Sequence, residues 1–304
     1  MSERETKLTD MALTRQWKSR IRKAQRRVGF SNHSRRSVRI EEASGMRVSV
    51  SSDLPHAAEH AASVFEKHYI AWRDGERYDA WGQYKREHFT VAVGGGNTIK
   101  AQFQAMIDRL HGRVNWMRHV RFFVVEDSTG EGRWESPEHS LTNYFIKPLV
   151  RKLIVSEGLR ALVRKLELPQ GSNEDDIVDT MKRAMIVPMD LSAARSAKNA
   201  GKKAQAMRLA RAEAERYQRK IRHRLGEKMA FHFLISGIGK DGSLGALSPY
   251  LPELADTDPG VIVIKRPSGA LRVALNRGAM VSAERISLIV SGSLKLRALG
   301  LSLI

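Results

Sequence analysis

Gly94-Gly95-Gly96-Asn97-Thr98-Ile99 stands between an apolar, β-branched run, Phe89-Thr90-Val91-Ala92-Val93, and a helical pattern carrying Phe103, Met106, Ile107 and Leu110. A strand, a glycine turn and a helix start leave backbone N–H groups unpaired and pointing outward, where the helix dipole adds partial positive charge. Such a turn can cradle a phosphate. Glycines such as Gly95 and Gly96 let the backbone come close to a ligand, and Asn97 and Thr98 add polar side chains at the helix start. The same three glycines are also compatible with a plain tight turn, so the reading rests on two further segments. One is Gly237-Ile238-Gly239-Lys240-Asp241-Gly242-Ser243, directly after a strand-like run at residues 231–236. The other is basic: Arg272 within a strand-like run at 271–275, and Lys295 after the run at 286–291, in Gly292-Ser293-Leu294-Lys295. An arginine and a lysine brought to a glycine nest are the usual partners of a phosphate dianion.

The elements that would position these residues can be read from the same pattern. Ala57, Ala58, Ala61, Val64, Phe65 and Tyr69 repeat at helical spacing up to about Trp72. Residues 120–125 form a second apolar run, residues 126–143 are polar and expected as a loop beside the site, and residues 144–168 alternate apolar and basic positions as one helix or two. Residues 170–190 contain the acidic run Glu174-Asp175-Asp176. Residues 193–224, rich in Ala, Lys, Arg and Gln, are expected as a long exposed helix, frayed at Gly201. Residues 260–265 and 271–275 suggest a hairpin around Pro267-Ser268-Gly269. Strands alternating with helices predict an α/β fold: a three-layer α/β/α arrangement with a mostly parallel, Rossmann-like open sheet. In such sheets ligands sit beyond the carboxyl ends of the strands.

Composition limits the chemistry. The 304 residues include no cysteine, so disulfides, thiolate metal sites and cysteine nucleophiles are excluded. The most apolar stretch, residues 286–304, is interrupted by Lys295 and Arg297 and falls short of a membrane span. Glu3, Glu5 and Asp10 with no apolar core speak against a secretory signal, so a cytoplasmic location is expected. The net charge is +19. Residues 1–50 hold 13 Lys/Arg against 5 Asp/Glu, and residues 191–228 hold 12 against 3. The basicity is thus expected in two appendages: an N-terminal extension over residues 1–50 and a basic helical segment at about 191–228 of the domain spanning 51–304. In the extension Leu13, Trp17, Ile21, Ala24 and Val28 recur at helical spacing among arginines and lysines. That stripe would either pack on the domain or anchor the chain on nucleic acid or an anionic membrane.

On these motifs the chain resembles the 6-phosphogluconolactonases, within the superfamily that includes the glucosamine-6-phosphate deaminases. The resemblance runs through roughly residues 54–300 and is weaker at about 150–225. Family members carry Ser-Gly-Gly-Ser/Asn-Thr-Pro where this chain has Gly94 through Ile99. They carry Asp-Glu-Arg and then Ser-Asn-Tyr, where it has Glu126-Asp127-Ser128 and Thr142-Asn143-Tyr144. Their Gly-Met-Gly-Glu-Asp-Gly-His-Thr-Ala-Ser-Leu-Phe-Pro is similar to residues 237–249, and their Arg-Val-Thr strand and Gly-x-x-Lys turn to Arg272-Val273-Ala274 and Gly292 through Lys295.

The resemblance implies a hydrolase of a phosphorylated sugar lactone, of the kind used in carbohydrate metabolism by the pentose phosphate pathway, with no metal and no organic cofactor. Gly95, Gly96, Asn97, Thr98, Asn143, Arg272 and Lys295 would hold substrate and phosphate, and Asp241, Ser243, Glu126 and His139 would surround the reacting carbonyl. Two departures bear on this. The family histidine that activates water is Ser243, and a neutral hydroxyl takes no proton near pH 7. The family arginine that binds phosphate is Ser128. Asp241, Glu126, Asp127 and His139 are the candidates for a replacement base, while His232 reads as a core histidine. Two alternatives stay open. One is a catalytically impaired sugar-phosphate-binding protein whose basic arms meet nucleic acid or an acidic partner. The other is a sugar-phosphate isomerase.

Overall fold

The computed structural model describes residues 37–41, 47–51, 53–75, 87–110, 119–130, 137–239, 241–249 and 251–291. The helix expected at residues 13–28 and Lys295 lie outside them. At the centre is a five-stranded sheet in the order β10 (Ile286–Ile289), β7 (Phe233–Gly237), β3 (Phe89–Val93), β4 (Val120–Val124), β6 (Ile186–Val187), every pairing parallel. All five residues of β3 are buried, which is why they read as one apolar run and not as an alternation. The expected strand at 89–93 and the one at 120–125 are thus both present.

Two layers of side chains cover this sheet. Phe122 packs edge-on against Phe145, with ring centroids 5.3 Å apart. Its neighbour Phe123 points to the other face and packs edge-on against Phe231 at 5.4 Å, as strand alternation requires. The helix α1 (Leu54–Asp74) supplies Phe65, whose ring meets Phe89 at 5.6 Å and Phe233 at 5.4 Å. The helix α2 (Asn97–Leu110) follows the first glycine turn and packs beside α1 and β7. The three-layer, mostly parallel expectation holds. His232 is the core histidine expected: its Nδ1 accepts from the Thr90 N–H at 3.0 Å, and its ring stacks on Phe89 at 5.2 Å.

Several local expectations change. Residues 126–128 are not loop but a strand, β5 (Glu126–Ser128), in a second, antiparallel sheet with β8 (Val261–Lys265) and β9 (Leu271–Leu275) in the order β5-β9-β8. Three polar residues carry no apolar period, so only the pairing with β9 makes them a strand. The hairpin of β8 and β9 is as read. The polar loop continues into a short helix, α3 (Pro137–Leu141), then a π-helical turn at Thr142–Ile146. Residues 144–168 do split in two, α4 (Lys147–Glu157) and α5 (Leu159–Lys165), with Gly158 between them at φ +85°. Glu174-Asp175-Asp176 forms the first turn of α6 (Glu174–Met185). Asn173 caps it, and the acidic groups face the positive helix end. The last strand, β10, stops at Ile289. Within the basic N-terminal segment, β1 (Ser37–Glu41) and β2 (Arg47–Ser51) pair as an antiparallel hairpin beside α1.

The basic segment at 191–228 is neither continuous nor an exposed appendage. Gly201, at φ +74°, separates α7 (Ser192–Asn199) from α8 (Lys203–Leu225). Along α8, Ala206, Ala210, Ala214, Tyr217, Ile221 and Leu225 are buried, a helical stripe that small alanines disguise in the sequence. The Tyr217 hydroxyl donates to the Val124 carbonyl, at the end of β4, at 2.9 Å. Buried Glu213 accepts from Arg216 at 2.5 Å and from the Asp190 N–H at 2.7 Å, which fixes the segment leading into α7. Replacing Tyr217 by Phe removes a donor and leaves a buried carbonyl short of a partner, at a cost of about 1–3 kcal/mol. Denaturant unfolding should show the midpoint falling with the slope unchanged. An unchanged midpoint would mean that α8 is held by its apolar stripe alone.

Candidate functional site

The carboxyl ends of β3, β4 and β7 lie side by side, and each runs into one of the segments picked out above. After β3, the Gly94 N–H donates to the Ile235 carbonyl at 2.9 Å, and a Cβ at residue 94 would stand 2.7 Å from the Ser236 hydroxyl. A side chain there would have to displace the Ser236 hydroxyl. Gly96 has φ +109° and opens α2. Thr98, buried in the first turn of α2, lies against Gly237: a Cβ on Gly237 would fall 4.0 Å from the Thr98 Cβ. The two glycine loops therefore meet.

The second loop is a closed turn. The Gly239 N–H donates to the Ser243 carbonyl at 2.7 Å, and Gly242 has φ +83°. The Ser243 hydroxyl donates to Asp241 Oδ1 at 2.6 Å, and the Ser243 N–H donates to the same oxygen at 3.1 Å. A Cβ on Gly239 would stand 2.4 Å from both side chains. Partial burial raises the Asp241 carboxyl, but the two hydrogen bonds from Ser243 outweigh it and the pKa lies below the ordinary carboxylate value. Asp241 is thus a weak base, and the hydroxyl hydrogen of Ser243 is engaged in the bond to it. The pair the sequence marked for catalysis fastens the turn.

The strand β5 divides the acidic candidates, because neighbouring residues point to opposite faces. Glu126 accepts from Arg272 Nη1 at 3.0 Å. Burial raises the Glu126 carboxyl, and the Arg272 guanidinium, with Arg266 further off, opposes that shift. Arg272 therefore meets a carboxylate first, and its charge is matched there. Arg266, which the sequence reading passed over, holds the second loop from the other side: it donates to the Ser248 hydroxyl at 2.6 Å and to the Ala246 carbonyl at 3.0 Å.

Asp127 faces a cleft of about 410 Å³ between α3, the π-helical turn, α6 and the start of α7. Its Oδ1 accepts from the Ser128 N–H at 2.7 Å and lies 3.7 Å from Arg195 Nη2. His139 and Asn143 line the same cleft, with Asn143 Nδ2 2.8 Å from His139 Nε2. The extra residue of the π-helical turn widens the helix at Asn143, a distortion frequent at functional sites. Next to it, Lys100 Nζ of α2 sits 3.8 Å above the Tyr144 ring, so the helix of the first glycine turn packs on the π-helical turn. Among the described residues, no group of three or more His, Asp or Glu side chains is placed to hold a metal ion.

The structure thus brings Thr98 to the second loop at Gly237, Asp241 to Ser243, Glu126 to Arg272, and His139 to Asn143. Lys147 and Arg195 were missed. Arg195 was hidden among the basic residues of an expected solvent-exposed helix, and nothing in its sequence spacing marks it. Replacing Ser243 by Ala should raise the Asp241 pKa toward its ordinary value, followed by NMR titration of the carboxyl. A depressed folded-state pKa contributes stability above the ordinary carboxylate range and loses it as pH falls through the folded value. The variant should therefore lose less stability than the parent on acidification. An Asp241 titration that does not move would show that Ser243 is not what depresses it.

No curated protein matches the chain. Among solved structures, the 6-phosphogluconolactonase from Leishmania guyanensis is 18% identical, with 81% of this chain and 82% of that one covered at a TM-score of 0.51. The 6-phosphogluconolactonase from Trypanosoma cruzi is 19% identical, with 80% and 79% covered at 0.50. At such identities the likeness concerns the fold. The sequence of residues 160–303 matches the model of a family described as glucosamine-6-phosphate isomerases/6-phosphogluconolactonase. With the fold and the ordered glycine loops, this match fits the chain as a divergent member of that family.

Proposed function

We propose that the protein is a hydrolase of a phosphorylated sugar lactone, of the 6-phosphogluconolactonase type. The observation that carries the reading is the cleft beside β5, lined by both His139, whose Nε2 stands 2.8 Å from the Asn143 amide nitrogen, and the buried carboxylate of Asp127. A lactone needs little more than a positioned water and a place for the oxyanion. In this scheme Asn143 gives way to a water at His139 Nε2. The imidazole takes one proton as the water oxygen bonds to the ring carbonyl carbon, and then returns it to the ring oxygen as the C–O bond breaks. The product is the open phosphorylated aldonic acid. The carboxylate of Asp127 favours the transient imidazolium by its charge, and the Asn143 amide, freed from Nε2 on the same lining, donates to the developing oxyanion. Asp241 and Ser243, interlocked, hold the second loop.

Hydrolysis of 6-phosphogluconolactone, followed against its spontaneous opening, tests the proposal. The protein at micromolar concentration should accelerate it, and His139→Ala should lower kcat by roughly 10²–10⁴-fold. No acceleration by the parent protein removes the lactonase reading for this substrate. A full rate in His139→Ala removes the histidine from the mechanism. The interlocked Asp241 and Ser243 favour a second reading, a protein that binds sugar phosphates without turnover. Binding of 6-phosphogluconate with no acceleration would select it.

A further inference from the structure

The cleft beside β5 contains more than a base. Three cations from three elements line it: Lys147 at the start of α4, Lys182 of α6 and Arg195 of α7. Three carboxylates line it too, and each has a partner. Glu138 is held by Lys182 at 2.8 Å. Asp190 accepts from the Ser192 N–H at 2.9 Å. Asp127 accepts from the Ser128 N–H.

The cations are not consumed in the same way. Lys147 has no ion-pair partner among the described residues. Arg195 spends one N–H on the Ser128 carbonyl, at 2.9 Å, and stands 3.7 Å from Asp127, beyond hydrogen-bond length. Its side chain keeps 41% of its surface open to the cleft and solvent, while Asp127 keeps 7%. The neutral carbonyl of Ser128 orients the guanidinium, and no hydrogen bond from its other N–H groups is seen among the described residues. Asn143 and His139 stand on the same lining with Lys147. A fixed guanidinium, a compact ammonium and a neutral amide around a polar cavity make a receptor for a tetrahedral dianion.

From this geometry we infer that Arg195 and Lys147 hold the phosphate of a phosphorylated sugar acid or lactone in this cleft, as binding residues contributed by α7 and α4. The inference rests on the reading above for the sugar. It departs from the expectation drawn from the sequence motifs, placing the phosphate in the cleft and not at Arg272, whose charge Glu126 already meets.

Isothermal titration of the full chain with inorganic phosphate, 6-phosphogluconate and gluconate separates the terms. Phosphate and 6-phosphogluconate should bind and gluconate should not. Arg195→Gln and Lys147→Gln should each weaken 6-phosphogluconate by roughly 10-fold or more, the worth of a hydrogen bond to a charged group. Arg195→Lys should recover only part, having lost the planar face, and Arg272→Gln should matter less than either. Thermal unfolding of each variant without ligand checks that the fold is intact. Equal binding of gluconate and 6-phosphogluconate overturns the inference, as does phosphate binding undisturbed in both glutamine variants. Because the ligand is the open acid, these results do not depend on turnover. A binding-competent protein that fails to hydrolyse the lactone rejects the lactonase reading alone. A lactonase whose substrate affinity ignores Arg195 and Lys147 rejects the cleft alone.

Discussion

The site depends on the register of three neighbouring parallel strands. Val93 lies opposite Val124 on one side and Ile235 on the other, so β3, β4 and β7 reach their carboxyl ends at one level. The backbone continues that alignment past the strands: the Val125 N–H donates to Val93 and the Gly94 N–H to Ile235, both at 2.9 Å. A slip of a single residue would exchange the two faces of a strand. Phe122 and Phe123 make such a slip costly, since each has its own aromatic partner on its own side. The fold therefore guarantees that a glycine turn, an acidic strand and a second glycine loop open together, whatever chemistry their side chains perform.

Buried charge then decides which of those side chains remain available. Glu126 would be expensive in that environment without a partner, and Arg272 supplies one at 3.0 Å. The pair fixes Arg272 against β5. Glu213 follows the same logic: buried under α8, it is neutralised by Arg216 and bonded to the Asp190 N–H. That contact fixes the entry to α7, and with it the position of Arg195. Part of the basic segment thus serves as internal counter-charge, and its exposed residues are what remain after the buried face is satisfied.

Elements whose own side chains bury in the sheet could be read directly from the chain. The β3 run, the hairpin of β8 and β9 and the core role of His232 all follow from apolar runs or turn residues, because local preference and tertiary environment agree there. The strand at 126–128 could not be read, since its three polar residues become a strand only by pairing with Leu271–Leu275. The buried face of α8 was masked by alanines, which suit an exposed helix equally well. At the site, glycines packed against polar side-chain ends, such as Gly94 and Gly239, were visible as glycines. Which polar side chains share a cavity was not visible. Glu126 and Asp127 are neighbours in sequence and separate in space, while Asp127 and Arg195 are distant in sequence and adjacent across the cleft.

That separation by β5 has a chemical consequence. Two carboxylates one residue apart each receive a guanidinium, from different elements and at different lengths. On the Arg272 side the pair is hydrogen-bonded, with both side chains largely buried, Arg272 at 18% and Glu126 at 7% exposure. On the Arg195 side the distance is 3.7 Å and the guanidinium is the open member. Coulomb attraction falls with distance and with solvent access, so the first arginine is the more tightly matched and the second the more available. An incoming dianion competes with Glu126 on one face of the strand. On the other it finds Arg195 already oriented by a neutral carbonyl, with Lys147 on the same wall. The strand that interrupts the expected loop is therefore what creates two unequal electrostatic compartments from one acidic dipeptide, and the less compensated of them is the one that holds the histidine.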